Sequence, residues 1–110
     1  MEKVIDPQKA VDYILHNAKA YAFAKAHRIY VEEYRKSLKA MLMKRSMETA
    51  VNAQERDAYS NDEYRAHLQA IFDAVMEEQT YHWKMVAAQA EIEIWRSQEA
   101  SSRMEYKATI

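Results

Sequence analysis

The 110-residue chain has no glycine, no cysteine and a single proline, Pro7. Glycine and proline are the residues that let a backbone turn or stop. Their scarcity excludes a fold of many short elements. It also removes the glycine-rich phosphate loops and dinucleotide fingerprints. Without cysteine there is no disulfide, no thiolate metal site and no cysteine nucleophile. No apolar run approaches the roughly 20 residues needed to cross a bilayer, so no membrane contact is expected. The opening Met1-Glu2-Lys3-Val4-Ile5-Asp6 lacks the apolar core of a secretory signal, and a cytoplasmic location is the expectation. Ser37, Ser46, Ser60, Ser97, Ser101 and Ser102 stand in no nucleophile motif. No enzymatic activity and no cofactor are expected.

What remains is a helix-forming sequence. Apolar residues make up 49% and charged residues 30%, and alanine, lysine, glutamate, leucine and methionine recur throughout. Only Ala58-Tyr59-Ser60-Asn61-Asp62-Glu63 reads as a turn. The expected fold is all-α: two long antiparallel helices, a helical hairpin, in one domain over 1–110. The first helix is placed at 7–58, the turn at 59–61, the second helix at 62–103 and a frayed tail at 104–110. Asp6-Pro7 supplies an N-cap and a first helical position. Ser60-Asn61-Asp62-Glu63 has the form of a capping box, with Ser60 as the cap. The polar stretch from Ser46 to Asp57 predicts weaker packing, with a break near Asn52.

Apolar periodicity points beyond one chain. In the first helix a stripe runs Ala20, Ala24, His27, Val31, Tyr34, Leu38, Met41, Arg45, widened by Phe23, Tyr30 and Leu42. In the second, one stripe is Leu68, Phe72, Val75, Gln79, His82, Val86 and another is Tyr81, Met85, Ala88, Ile92, Trp95. A helix that is apolar on more than one side needs more than one partner helix. The hairpin is therefore expected to assemble into an oligomeric bundle, with Trp83, Ile92, Ile94 and Trp95 at the interface between copies.

The formal net charge of -1 hides an asymmetry. Residues 1–46 carry ten Lys/Arg and five Asp/Glu, net +5, whereas residues 47–99 carry four and eleven, net -7. Two readings stand side by side. Opposite charge can draw antiparallel helices together, or a basic face can meet a polyanion. Lys25, Arg28, Arg35, Lys36, Lys39, Lys44 and Arg45 are the candidate phosphate contacts, interleaved with Tyr21, Phe23, Tyr30 and Tyr34. Basic tracks with aromatic platforms are how proteins hold single strands. A metal centre has less behind it. Ferritin-like bundles use Glu-x-x-His, but Glu63–His67 and Glu78–His82 are four apart. Glu33, Glu78 and His82 would meet only between two hairpins, and no metal ligand is assigned.

One segment carries a family resemblance. Tyr30-Val31-Glu32-Glu33-Tyr34-Arg35-Lys36-Ser37-Leu38-Lys39-Ala40-Met41-Leu42, with Ala53-Gln54-Glu55-Arg56-Asp57-Ala58-Tyr59-Ser60 and Ala88-Gln89-Ala90-Glu91-Ile92-Glu93-Ile94-Trp95-Arg96-Ser97, resembles small helical proteins of tailed phages encoded beside recombination genes. More distantly it resembles the UvsY recombination mediators. In that family a Leu-Lys-Ala-Arg-Leu segment carries basic residues that bind DNA. Here the segment reads Leu38-Lys39-Ala40-Met41-Leu42, so Lys39 matches and Met41 replaces the arginine. The resemblance implies an oligomer that binds single-stranded DNA. It further implies work beside a recombinase or a single-strand-binding protein in the host cytoplasm. A helical adaptor without nucleic acid is the alternative, and a ferritin-like metal bundle the third reading.

Overall fold

The computed structural model describes residues 4–109. The chain is all-α, and the described residues form three helices and no strand: α1 Pro7–Arg45, α2 Val51–Ser60 and α3 Asp62–Thr109. Local chemistry sets most of the ends. Asp6 Oδ1 accepts from the backbone N–H of Gln8 at 2.9 Å and of Lys9 at 3.4 Å, so α1 starts where Asp6-Pro7 places it. Lys44 and Arg45 close its last turn, where cations suit the negative end of the helix dipole.

The helix expected over 7–58 is interrupted at residues 46–50, and the break comes earlier than Asn52. Ser46 makes it. Its backbone N–H bonds back three residues to Met43 at 3.1 Å. Its hydroxyl accepts from the N–H of Glu48 at 3.1 Å and donates to the Asp57 carboxylate. A short hydroxyl side chain here competes with the helical ladder for backbone partners. Ala50 is then extended, and Gln54 Nε2 donates to the Glu48 carbonyl at 3.0 Å.

The second junction is one residue wide. Asn61 is extended, with φ -72° and ψ 139°, and its Oδ1 accepts from the N–H of Glu63 at 2.8 Å. Asn61, not Ser60, is therefore the cap of α3. The Ser60 hydroxyl turns back into α2 and donates to the Arg56 carbonyl at 2.8 Å. Nor does α3 end at Arg103: residues 104–109 continue it, all of them exposed.

Two compact units divide the chain: one joins the segments up to Tyr21 and from Thr80 onward, and the other is Ala22–Gln79. In the second unit, Leu38, Leu42 and Ala58 form a buried cluster with Met43 and Tyr64 against it. Ala24, Val31 and Ala74 are also buried there. The α1 stripe is thus right at Ala24, Val31 and Leu38, but His27, Tyr34, Met41 and Arg45 face outward. The inward positions between are Arg28 and Leu42. On α3 the buried and half-buried residues in this unit are Tyr64, His67, Ile71, Ala74, Val75 and Glu78, while Leu68 and Phe72 are exposed. In the other unit, Ala10, Met85 and Ala88 are buried and Tyr81, Ile92 and Trp95 half-buried. The rings of Tyr21 and Tyr81 stack at 6.5 Å, and the Tyr21 hydroxyl lies 2.9 Å from His82 Nδ1. The second α3 stripe is therefore the packed one.

Candidate nucleic-acid interface

The seven candidate cations fall into three groups. Arg28 is committed to the helix–helix contact. Its guanidinium meets both oxygens of Glu78, and Glu32 at 2.8 Å. The Glu78 side chain is only 6% exposed and that of Arg28 24%. The hydrogen bond to Glu78, ahead of that to Glu32, makes the guanidinium hold its proton more firmly than an ordinary arginine does. A charge so engaged answers a buried carboxylate that would otherwise be unpaired.

Arg45 is the second case. It clasps Glu63 with two bonds of 3.0 Å, tying the end of α1 to the start of α3. Glu63 is held below the usual carboxylate range by that arginine. Lys44, beside it, is exposed and makes no ion pair among the described residues. Both sit at the end of α1, where the helix dipole already gives them a role.

Lys25, Arg35, Lys36 and Lys39 form the third group. At about 100° per residue Lys25, Lys36 and Lys39 fall on one flank of α1, clear of the buried Ala24, Val31, Leu38 and Leu42, while Arg35 lies where that flank meets the buried face. Lys25 and Arg35 are exposed and make no ion pair among the described residues. Lys36 reaches Glu33 at 3.2 Å along its own helix and remains 76% exposed. Lys39 lies 3.7 Å from Glu55 and 4.9 Å above the Tyr59 ring. Its ammonium is held protonated above the ordinary lysine value, first by the Tyr59 hydroxyl and then by Glu55.

Of the aromatic residues interleaved with these cations in sequence, Tyr21 packs against Tyr81 and His82, and the others lie away from the cations. Phe23, His27, Tyr30 and Tyr34 recur at steps of four and three along the opposite flank of α1. Phe23 stacks on His27 at 6.0 Å and Tyr30 on Tyr34 at 6.1 Å. Tyr34 also leans on His67, whose Nε2–H donates to the Val31 carbonyl. The rings that do join the cations come from other elements. Tyr59 ends α2, Tyr64 opens α3, and the two meet edge to face at 5.3 Å. With Arg35, Lys36 and Lys39 they line a recess of about 350 Å³. Leu68 and Phe72, four and eight residues beyond Tyr64, carry that flank along α3 with their side chains exposed. Tyr59 and Tyr64 carry no periodic signal that marks them as site residues. Only the placement of α2 brings them to the lysines.

The four candidate interface residues also divide. Trp83 is 63% and Ile94 49% exposed, whereas Ile92 and Trp95 are half-buried on the side that packs within their unit. Among the described residues no group of three or more His, Asp or Glu is placed to hold a metal ion. Glu78, the carboxylate nearest in sequence to such a role, is taken by Arg28. No described helix is long and apolar enough to cross a membrane. Searches of protein-family models, curated proteins and solved structures find no match to the chain.

Proposed function

We propose that this chain is a single-strand nucleic-acid-binding accessory factor, without catalytic activity, that works as a homo-oligomer in phage-type recombination. The observation that carries the binding is one flank of the Ala22–Gln79 unit. It sets Lys25, Arg35, Lys36 and Lys39 on α1 alongside Tyr64, Leu68 and Phe72 on α3. Cations in a row neutralise successive phosphates. The exposed Phe72 ring beside them offers a face on which bases stack without regard to sequence. The resemblance at Leu38-Lys39-Ala40 supplies the recombination context, and with it a recombinase or single-strand-binding protein as partner. Lys44 and Arg45 contribute only long-range charge in this reading, and Arg28 none.

The test is fluorescence anisotropy with long single-stranded oligonucleotides across a salt series. Four cations on phosphates give a log–log salt slope of about -3. Affinity is expected to vary little with base composition and to fall for duplex, whose bases offer no free faces. Charge removal by Lys25→Ala with Arg35→Ala lowers affinity and the slope together, leaving helicity unchanged. Absence of binding at low salt rejects this reading.

A second reading, a helical adaptor that only holds other proteins, is favoured by one feature: the exposed Trp83 and Ile94. The same residues serve self-assembly in the first reading. Binding of single strands separates the two.

A further inference from the structure

The recess at the end of the basic flank differs from the rest of it. Its lining is Arg35, Lys36, Lys39, Tyr59 and Tyr64: three cations, two phenols and no carboxylate. The nearest acidic groups, Glu33 and Glu55, touch the lysines from outside that lining. Arg35 makes no ion pair among the described residues. The volume of about 350 Å³ lies within the usual span of small-ligand sites, about 300–1,000 Å³. The recess is also bordered by α2. The contacts of Lys39 with Glu55 and Tyr59 bring α2 against α1 at this point.

We propose that this recess binds a terminal phosphate monoester, so that the chain recognises the phosphorylated end of a strand. It rests on the single-strand reading above for the identity of the polymer. An internal phosphodiester carries one negative charge. A terminal monoester carries about -1.5 to -2 near pH 7 and three acceptor oxygens. Three cations lining one recess that has no lining carboxylate match the second better than the first. The Arg35 guanidinium can donate two parallel N–H bonds to such a group, Lys36 and Lys39 supply point charges, and the Tyr64 hydroxyl adds a neutral donor.

The experiment compares one oligonucleotide sequence in three forms, with a 5′-phosphate, a 3′-phosphate or hydroxyls at both ends, by anisotropy against the full chain. One phosphorylated form is expected to bind about tenfold more tightly than the hydroxyl form, as one added charge-assisted contact implies. Its salt slope should be steeper by about 0.7 per added charge neutralised. Lys36→Ala and, separately, Tyr64→Phe should pull the phosphorylated-to-hydroxyl ratio toward one. Both positions leave the buried cluster of Leu38, Leu42 and Ala58 intact, and circular dichroism checks that. Competition by thymidine 5′-monophosphate but not thymidine supports the monoester chemistry, and competition at comparable concentration identifies a free nucleotide as the source. Equal binding of all three forms overturns this proposal and leaves the single-strand reading standing. Binding of none overturns both.

Discussion

Arg28 and Glu78 show how much one side chain's environment decides. By sequence Arg28 belongs to a run of cations with Lys25 and Arg35, set apart locally only by Glu32 four residues on. Fifty residues further on, Glu78 occupies a buried position of α3 and requires a partner, and Arg28 supplies it. A buried pair of this kind contributes less through its own attraction than through the cost of leaving either member alone. Glu78→Leu or Arg28→Met alone should therefore lower the thermal midpoint clearly. The double variant Arg28→Met with Glu78→Leu should recover most or all of the loss, and a melting series of the three proteins measures it. If the double variant is as unstable as the worse single one, the loss is not the cost of an unpaired member. The apolar cluster is a simpler case. Leu42→Ala removes a buried side chain from between Leu38 and Ala58 and should cost about 2–5 kcal/mol in urea unfolding.

Among the elements, the junctions distinguish local from distant chemistry. The start of α1 is legible because Asp6, Pro7 and the N–H groups they serve are neighbours. The cap of α3 is legible only to within a residue, since Ser60 and Asn61 are both good caps and the choice depends on which one the chain leaves extended. Asn61→Ala should then cost about 1 kcal/mol and Ser60→Ala much less, a comparison that equilibrium unfolding resolves. The interruption at residues 46–50 is hidden for a different reason. It contains no glycine or proline, and its anchor is a bond from Ser46 to Asp57, eleven residues away. The recess is hidden likewise, because Tyr59 and Tyr64 reach Lys39 only once that interruption has folded α2 back. Acid acts at the same end of the unit. Glu63 has its folded pKa lowered from an ordinary 4.5 by Arg45. Its contribution to stability is complete above that ordinary value and is lost as pH falls through the lowered one. Arg45→Gln should therefore flatten the stability profile below about pH 4.5 and leave it parallel to the wild type above.

For the whole molecule, the question is what covers the remaining apolar surface. Two-sided apolar character in α3 is visible in the sequence and is real in the structure, where one side packs within each unit and Trp83 and Ile94 stay outside. Trp83→Glu is expected to keep the helix content while shifting the light-scattering mass toward the monomer. Trp95→Glu, on the packed side, should lower the melting temperature whatever the mass. A wild-type chain that is already monomeric at micromolar concentration would reject the assembly.

The last turns of α3 carry a consequence of their own. From Arg96 to Thr109 every described residue is exposed, so side-chain burial adds nothing to hold this stretch in shape. In a solitary chain its backbone amides should exchange with deuterium near the rate of a free peptide, at least 10²-fold faster than those around Ala74 or Met85. Its ellipticity should drift with temperature as a sloping baseline, well before the cooperative transition. A companion that docks there would convert that drift into part of the main transition. Exchange at the C-terminal end of α3 thus serves as a built-in gauge of whether the chain is alone.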